Sequence, residues 1–493
     1  MAKILDKINL KPYYFLATLS REENYPPLDS RYLSFDYGEN WDIEKVCAIW
    51  KKTLRLIQKK SGINKNVGLY IHWPFCSSHC SFCFCDVDIL ASKNKMQTYF
   101  RLLRREIISL RDIFSGVAFD SLFIGGGTPT FIPNQILENL LKLVHSTFQM
   151  KSEAQFYIEA TPTTLTPGKI RILKHYKVNR LTFGIQSLDP KVLAFANRKG
   201  QTRQCAENAI SMVRRELNAA LGLDLIAGLE GQTQRSFLDD LFWAIRMQPE
   251  MLHIYHFDPR SNTPYASLGR RVSISRNTRT RSWLHLADEI LSQHGFRQAR
   301  AVEDEGLLRS FEVWQDVAAR WWNASILGIG ANALSHAYGS AWYCHLPVAS
   351  FIDEPLSFKG VAFEEEEEVR GFVIFWLETK RLFSRRMFKE LFGRDVLEVP
   401  PVSVPLRDLE KSGKVRITQD CVISLMKDPA ERLVWFKHFY SKRIVKRLLA
   451  VHRSKYEIFC ERQGIVALED LAKTKYMQHR YYNCLSDRYK PLF

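Results

Sequence analysis

The sequence predicts an α/β protein built on a parallel sheet of six strand–helix units. Three observations carry this. Between residues 66 and 265, short apolar β-favouring runs alternate with longer amphipathic segments. The spacing leaves room for a crossover helix after each strand, which parallel pairing requires. Residues able to do chemistry recur just past the strands, along the rim where parallel sheets and barrels place their ligands.

In chain order, residues 41–60 (WDIEKVCAIWKKTLRLIQKK) read as one amphipathic helix after a mixed N-terminal arm. The strand candidates are 68–73 (GLYIHW), 121–127 (SLFIGGG), 155–160 (QFYIEA), 180–187 (RLTFGIQS), 222–229 (GLDLIAGL) and 251–257 (MLHIYHF). Between them lie helical patterns such as MQTYFRLLRREIISLRDIF, PNQILENLLKLVHSTF and TQRSFLDDLFWAIRMQ. PKVLAFANRKG continues in helical pattern to CAENAISMVRREL. Six units are two short of a closed eight-fold barrel, so barrel and open sheet both remain possible at this point. The glycine-punctuated SILGIGANALSHAY (325–338) reads as a further strand and turn. Glu364 to Glu368 open a helix-like stretch and read as a solvated helix start, where negative charge suits the dipole. These boundaries divide the chain into an arm and helix (1–60), a core with an extension (61–345), a small C-terminal domain (346–426) and a basic helical tail (427–493).

At 493 residues the chain holds a large catalytic core plus accessory pieces. Its 46% hydrophobic and 25% charged residues are those of an ordinary globular protein. The N-terminal segment lacks the sustained apolar stretch of a signal peptide, and no run of about eighteen apolar residues suggests a membrane span. With four of its ten cysteines clustered rather than all spread as a disulfide framework, a cytoplasmic location is expected. The net charge of +17 reads as a basic surface, or as attraction to a substrate with several carboxylates. No nucleic-acid module is recognisable, and no nucleic-acid partner is expected.

The chemistry concentrates in HWPFCSSHCSFCFC, residues 72–85, where Cys76, Cys80, Cys83 and Cys85 fall within ten residues. Three readings compete. A zinc site usually wants two spaced pairs of ligands, and no second pair follows, though His72 and His79 are nearby. A four-cysteine electron-transfer cluster is possible. A [4Fe–4S] cluster held by three cysteines would leave one iron open to the amino and carboxylate groups of S-adenosylmethionine. One electron from such a cluster splits a carbon–sulfur bond and releases a 5′-deoxyadenosyl radical, while the protein binds, orients and excludes water.

The C-x3-C-x2-C spacing after a first strand, followed by a strand ending in GGGTP, resembles the radical S-adenosylmethionine superfamily. More narrowly, the chain resembles the oxygen-independent coproporphyrinogen III oxidase family, which includes heme chaperones and a class of radical methyltransferases. LYIHWPFCSSHCSFCFC, LFIGGGTPTFI, YIEATP, RLTFGIQSLDPKVLAFANR, LDLIAGLEGQT and LGIGANALSH carry the likeness, between residues 69 and 336. The resemblance implies a partial (β/α)6 TIM-like barrel core, with an N-terminal arm and a smaller, mainly helical C-terminal domain.

It also implies roles. Cys76, Cys80 and Cys83 match the iron ligands. Tyr70 matches a tyrosine lining the cluster and its bound S-adenosylmethionine. Gly126, Gly127 and Thr128 match the turn that meets the methionine amino group, where glycine lets the main chain approach closely. Glu159, Gln186, Arg198 and Asp224 match polar residues that hold one or two S-adenosylmethionine molecules. Singly, such residues serve equally well as helix caps or surface charges; their shared rim position is what marks them.

The implied activity is oxidative decarboxylation of coproporphyrinogen III or a related tetrapyrrole, with an electron donor such as flavodoxin or ferredoxin. Methyl transfer with two S-adenosylmethionines, and heme delivery without turnover, remain as alternatives. Cys85 is surplus to a three-ligand cluster and stands where the oxidases carry a cysteine and the chaperones tend to carry phenylalanine. It is therefore a candidate catalytic residue alongside Tyr70. Arg31 and the arginines of 260–281 are candidates to meet substrate carboxylates. The family's early Arg-Tyr-Thr-Ser-Tyr-Pro segment is matched only loosely by RYLSFDYG (31–38), and Trp73 and Phe84 depart from its common residues.

Overall fold

The computed structural model describes residues 38–59, 66–198, 200–257, 263–268, 274–298, 306–310, 325–377, 381–426 and 437–444. Arg31, Arg260 and almost all of the basic tail from 427 lie outside them. The chain divides into two compact units, one from Asn40 to Gly360 and a second that includes the residues from Val361 onward.

The first unit is built on six parallel strands: β1 (Val67–Trp73), β2 (Ala118–Gly126), β3 (Gln149–Ala160), β4 (Arg180–Gln186), β5 (Ala220–Ala227) and β6 (Met251–His256). The expected strands are present, most of them somewhat longer at their N-terminal ends. Beyond β6 come β7 (Arg297–Gln298) and β8 (Gly306–Ser310), with β8 antiparallel to β6. The segment read as a strand and turn forms β9 (Ser325–Ile329) and β10 (Leu334–Ala337), followed by β11 (Ala341–His345) and β12 (Phe358–Ala362). β9 lies parallel to β1, on the side away from β2. The full order is a short strand Glu39–Trp41, then β12-β11-β10-β9-β1-β2-β3-β4-β5-β6-β8-β7. Since β1 and β6 are not neighbours, the sheet is open rather than a closed barrel.

Helices α1 (Ile43–Gln58), α2 (Lys93–Leu110), α3 (Asn134–Thr147), α4 (Pro167–His175), α5 (Pro190–Phe195), α6 (Arg203–Met212), α7 (Gln234–Arg246) and α8 (Ile274–Gln293) accompany the strands. Most start on a side chain that accepts from a first-turn amide: Asp42, Ser92, Thr166, Asp189, Thr202 and Thr233. α2 buries Met96, Tyr99, Leu103, Ile107 and Leu110, the three-and-four spacing of one helical stripe. The pattern read as continuing from residue 190 into 217 is broken between α5 and α6. Asn197 and Gly200 adopt positive φ of 56° and 83° there, which no helix interior accommodates.

The second unit packs helices Glu365–Phe375, Arg385–Phe392 and Pro400–Lys411 with a three-stranded sheet. Phe372 meets the rings of Phe383, Phe388 and Phe392 in its core. The glutamate run opens a helix as expected, but only part of it is solvated. Glu367 and Glu368 are buried on the inward face, and Ser441 donates to Glu367 Oε1 at 2.6 Å.

Candidate functional site

The cysteine loop leaves the carboxyl end of β1 and is held at several points. Phe75–Cys76 pair in parallel with Asp88–Ile89, and the Leu90 amide donates to the Cys76 carbonyl at 3.1 Å, closing the loop on itself. From outside, Ser81 N donates to Ala196 O at 3.1 Å, Asn197 Nδ2 to His79 O at 2.9 Å, and Tyr265 N to Ser81 O at 2.9 Å. Phe82 packs against a buried cluster of Val192, Ile226, Leu229, Phe257 and Tyr265. At its end, Asp86 Oδ2 accepts from Asn332 Nδ2 and from the Val348 amide, both at 2.9 Å. Asn332 sits at φ 57° in the β9–β10 turn.

That turn is itself fastened to α2. Ala331 N donates to the Tyr99 hydroxyl at 2.9 Å, and that hydroxyl donates to the His72 carbonyl at 2.9 Å. Glu106 Oε2 accepts from Gly330 N at 3.2 Å, and Glu106 Oε1 meets His345 Nε2 at 2.5 Å. Both side chains of that pair are fully enclosed.

β2 ends in the triple glycine against the same loop. Gly127 N donates to Trp73 O at 2.8 Å, and Thr128 N to Phe75 O at 3.0 Å. Gly126 has φ 112°, and a Cβ there would lie 2.7 Å from His72 Nε2; one on Gly127 would lie 2.9 Å from the Phe75 carbonyl oxygen. Glycine is demanded at both positions by the protein's own close packing.

Inward-facing positions of the successive strands are partly buried between buried neighbours: Tyr70 on β1, Phe123 on β2, Tyr157 and Glu159 on β3, Gly184 and Gln186 on β4, Asp224 on β5, His253 and Tyr255 on β6. Tyr70 and Phe123 rings lie 5.1 Å apart, Phe123 and Tyr157 stack at 4.5 Å, and the Arg180 guanidinium covers Tyr157 at 4.7 Å. This aromatic row crosses three strands in register, since Tyr70 pairs with Phe123 and Phe123 with Tyr157.

The polar residues sit nearer the strand ends, close to the cysteines. Cys76 Sγ meets Thr128 Oγ1 at 3.3 Å, and Arg198 Nη1 reaches Cys80 Sγ at 3.6 Å. Burial pushes the Cys76 thiol up to about 12 and raises Cys80, with Arg198 opposing the latter. Cys85 donates to Cys83, which holds Cys83 below the usual thiol range and raises Cys85. Enclosure pushes Glu159 up to about 7, against the Gly126 amide that hydrogen-bonds it. Asp224 is raised by burial and by Glu159, with Arg180 and Arg198 opposing. Tyr70 is raised by burial, then by Glu159 and Cys85, and its hydroxyl hydrogen-bonds His72 Nδ1 at 2.8 Å. Burial lowers His72 to about 4, leaving it neutral at pH 7.

The structure therefore brings Tyr70, Cys76, Cys80, Cys83, Cys85, Gly126, Gly127, Thr128, Glu159, Gln186, Arg198 and Asp224 to one end of the sheet. Among the described residues no three His, Cys, Asp or Glu side chains come together tightly enough for a single metal ion. Buried polar atoms at the site, His72 Nε2, His79 Nε2 and Gln186 Oε1, have no hydrogen-bond partner among the described residues. Soft sulfur ligands beside unsatisfied polar atoms fit an iron–sulfur cluster with a polar organic ligand next to it.

The Radical SAM superfamily model matches residues 70–244, from Tyr70 through the polar strand ends. Those residues are similar to the radical SAM superfamily. Its members use a [4Fe–4S] cluster and S-adenosylmethionine. The relatives the chain resembles include heme chaperones and oxygen-independent coproporphyrinogen III oxidases. It is 26% identical to heme chaperone HemW of Bacillus subtilis over 364 residues, 72% of this chain and 93% of that one. It is 29% identical to the oxygen-independent coproporphyrinogen III oxidase of Escherichia coli over 191 residues, 39% of this chain and 42% of that one. For the Bradyrhizobium diazoefficiens oxidase the figures are 26% over 286 residues, 55% and 62%. The match thus spans less than two thirds of these two oxidases but nearly all of the chaperone. In structure, the chain resembles HemN of Escherichia coli, a coproporphyrinogen III oxidase described as a radical SAM enzyme. The TM-score is 0.66, with 20% identity, 83% of this chain and 95% of that one covered. That likeness establishes the fold.

Sequence reasoning missed Asp86, Glu106, His345 and Gln201. Asn332, in a Gly-x-Gly-Ala-Asn turn, was the visible signal for the first. The others become significant only through the neighbours that folding supplies.

Proposed function

We propose that the chain is an enzyme that oxidatively decarboxylates a tetrapyrrole bearing propionates, coproporphyrinogen III or a close relative. In this reading Cys76, Cys80 and Cys83 hold the cluster, and Gly126, Gly127 and Thr128 bring main chain against S-adenosylmethionine. When bound, these cofactors supply one-electron cleavage of a carbon–sulfur bond and the 5′-deoxyadenosyl radical. Glu159 and Asp224 offer carboxylate acceptors for a ribose diol, Gln186 an amide, and Arg198 a guanidinium for a carboxylate. Tyr70, Phe123 and Tyr157 form an apolar floor that excludes water, and neutral His72 fixes the Tyr70 hydroxyl. Cys85, whose thiol is held protonated beside Cys83, would give or take a hydrogen near the substrate. A flavodoxin- or ferredoxin-like protein would deliver the electron.

The observation that carries this reading is the convergence of the cysteine loop with Glu159, Gln186, Arg198 and Asp224 at the strand ends. A second reading, heme delivery without turnover, is favoured by the match along 93% of a heme chaperone. One experiment separates them: anaerobic incubation of reconstituted protein with S-adenosylmethionine, a strong reductant and coproporphyrinogen III, with products identified by mass. Two losses of formic-acid mass with 5′-deoxyadenosine support decarboxylation. S-adenosylhomocysteine with a heavier product means methyl transfer. Unchanged tetrapyrrole with tight heme binding would sink the enzymatic reading.

A further inference from the structure

Gln201 is buried at 6% exposure just before α6, and one amide there joins three separate features of the site. Its Oε1 accepts from Arg198 Nη2 at 2.8 Å and more weakly from Nε at 3.3 Å. Its Nε2 donates to the Ile185 carbonyl at 2.6 Å and reaches the Ser187 carbonyl at 3.3 Å. Those carbonyls flank Gln186, where the pairing of β4 with β5 slips by a residue. A bulge of this kind re-aims the side chain it carries. Gln186 takes φ 68°, a conformation a non-glycine residue holds only when its surroundings enforce it. The Arg198 fork, held by Gln201, also donates to the Gly184 carbonyl on the same strand end and reaches Cys80 Sγ.

We propose that Gln201 is a positioning residue that latches Arg198 and the Gln186 bulge into one S-adenosylmethionine-binding unit beside Cys80. This rests on the reading of Arg198 and Gln186 as cofactor contacts. Gln201 has no group left over to touch a ligand: its oxygen is taken by the guanidinium and its nitrogen by the two carbonyls. Its effect on binding therefore passes through its neighbours. An apolar residue of similar length at 201 would free the guanidinium and leave both carbonyls without their donor.

The test is a double-mutant cycle on anaerobically reconstituted full-length protein without reductant, so that S-adenosylmethionine binds but is not cleaved. Its dissociation constant is measured by equilibrium dialysis and iron content by assay. Gln201→Met and Arg198→Met should each weaken binding at least about tenfold with iron content unchanged, as expected when a charged contact is lost or misplaced. Their combination should be no more than about threefold weaker than the worse single variant, because residues acting through one contact are not additive. Normal binding by Gln201→Met, or losses that multiply in the double variant, would overturn the inference. Should Gln201→Met fail to fold, Gln201→Ser runs the same cycle under the same two criteria, since its short side chain reaches neither the guanidinium nor the carbonyls. Wild-type protein that holds iron yet binds no S-adenosylmethionine would overturn the functional reading beneath it. Wild-type binding with normal binding by Gln201→Met would overturn this inference alone.

Discussion

Glu106 is the residue whose removal should reach furthest. It lies on α2, yet both carboxylate oxygens serve the turn and strand that brace the cysteine loop: Oε2 holds the Gly330 amide and Oε1 meets His345 Nε2. Glu106→Ala would strand both donors in a place water does not reach. A buried donor left unpaired costs about 1–3 kcal/mol, so two together cost about 2–6 kcal/mol. Breaking a buried pair from one side gives a similar figure, about 3–5 kcal/mol. That is a large part of the roughly 5–15 kcal/mol by which a folded domain outlasts its unfolded chain. Hydrogen exchange read by mass spectrometry should show protection lost across residues 325–347. It should also be lost in the loop 74–90, which Asp86 ties to the same turn. Glu106→Leu combined with His345→Phe, which removes both polar partners, should recover at least half of the loss. A Glu106→Ala protein within about 1 kcal/mol of wild type, or a double variant no better than Glu106→Ala, would refute the reasoning.

Three further outcomes follow from the site and its surroundings. Gly126→Ala must hold a side chain at φ 112° against His72, and about 2–4 kcal/mol should be lost in chemical denaturation from backbone strain and overpacking. Asp240, buried where Ser187 Oγ and Leu188 N donate to it, is pushed up to about 6 by burial. Because its folded-state value lies above its unfolded one, its favourable contribution is complete below about pH 4 and is lost as pH rises to about 6. Asp240→Asn should thus gain on wild type by up to about 3 kcal/mol between those limits, and a flat difference would contradict this. Finally, Cys76→Ala, Cys80→Ala or Cys83→Ala should abolish reductive cleavage of S-adenosylmethionine, while Cys85→Ala should keep its iron; equal iron loss in all four would mean the ligands are misassigned.

Much of the fold was legible because its elements carry strong local signals. The six strands announce themselves as short β-favouring runs, and each helix between them has an apolar stripe or a Ser, Thr or Asp cap. The rim position of Glu159, Gln186 and Asp224 follows from strand order alone. What could not be read is what depends on neighbours distant in sequence. SILGIGANALSHAY reads as a strand and turn, but nothing in it says that β9 pairs with β1. The glutamate run reads as solvated because its partners, including Ser441, arrive from elsewhere in the chain. Gln201 and Glu106 look like ordinary polar residues until the groups they bridge are brought together.

The position of β9 bears on how the molecule is made. β1 gains its first neighbour, β2, soon after it emerges, but its other edge stays open until residue 325 arrives, about 250 residues later. The turn that grips Asp86 comes later still. During synthesis the cysteine loop is therefore complete in sequence long before it is clamped in space. Closure of such a long-range pairing is slow, so the loop is fastened on this side only late in folding. The strand that covers the open edge of β1 leads straight into the turn that holds the loop.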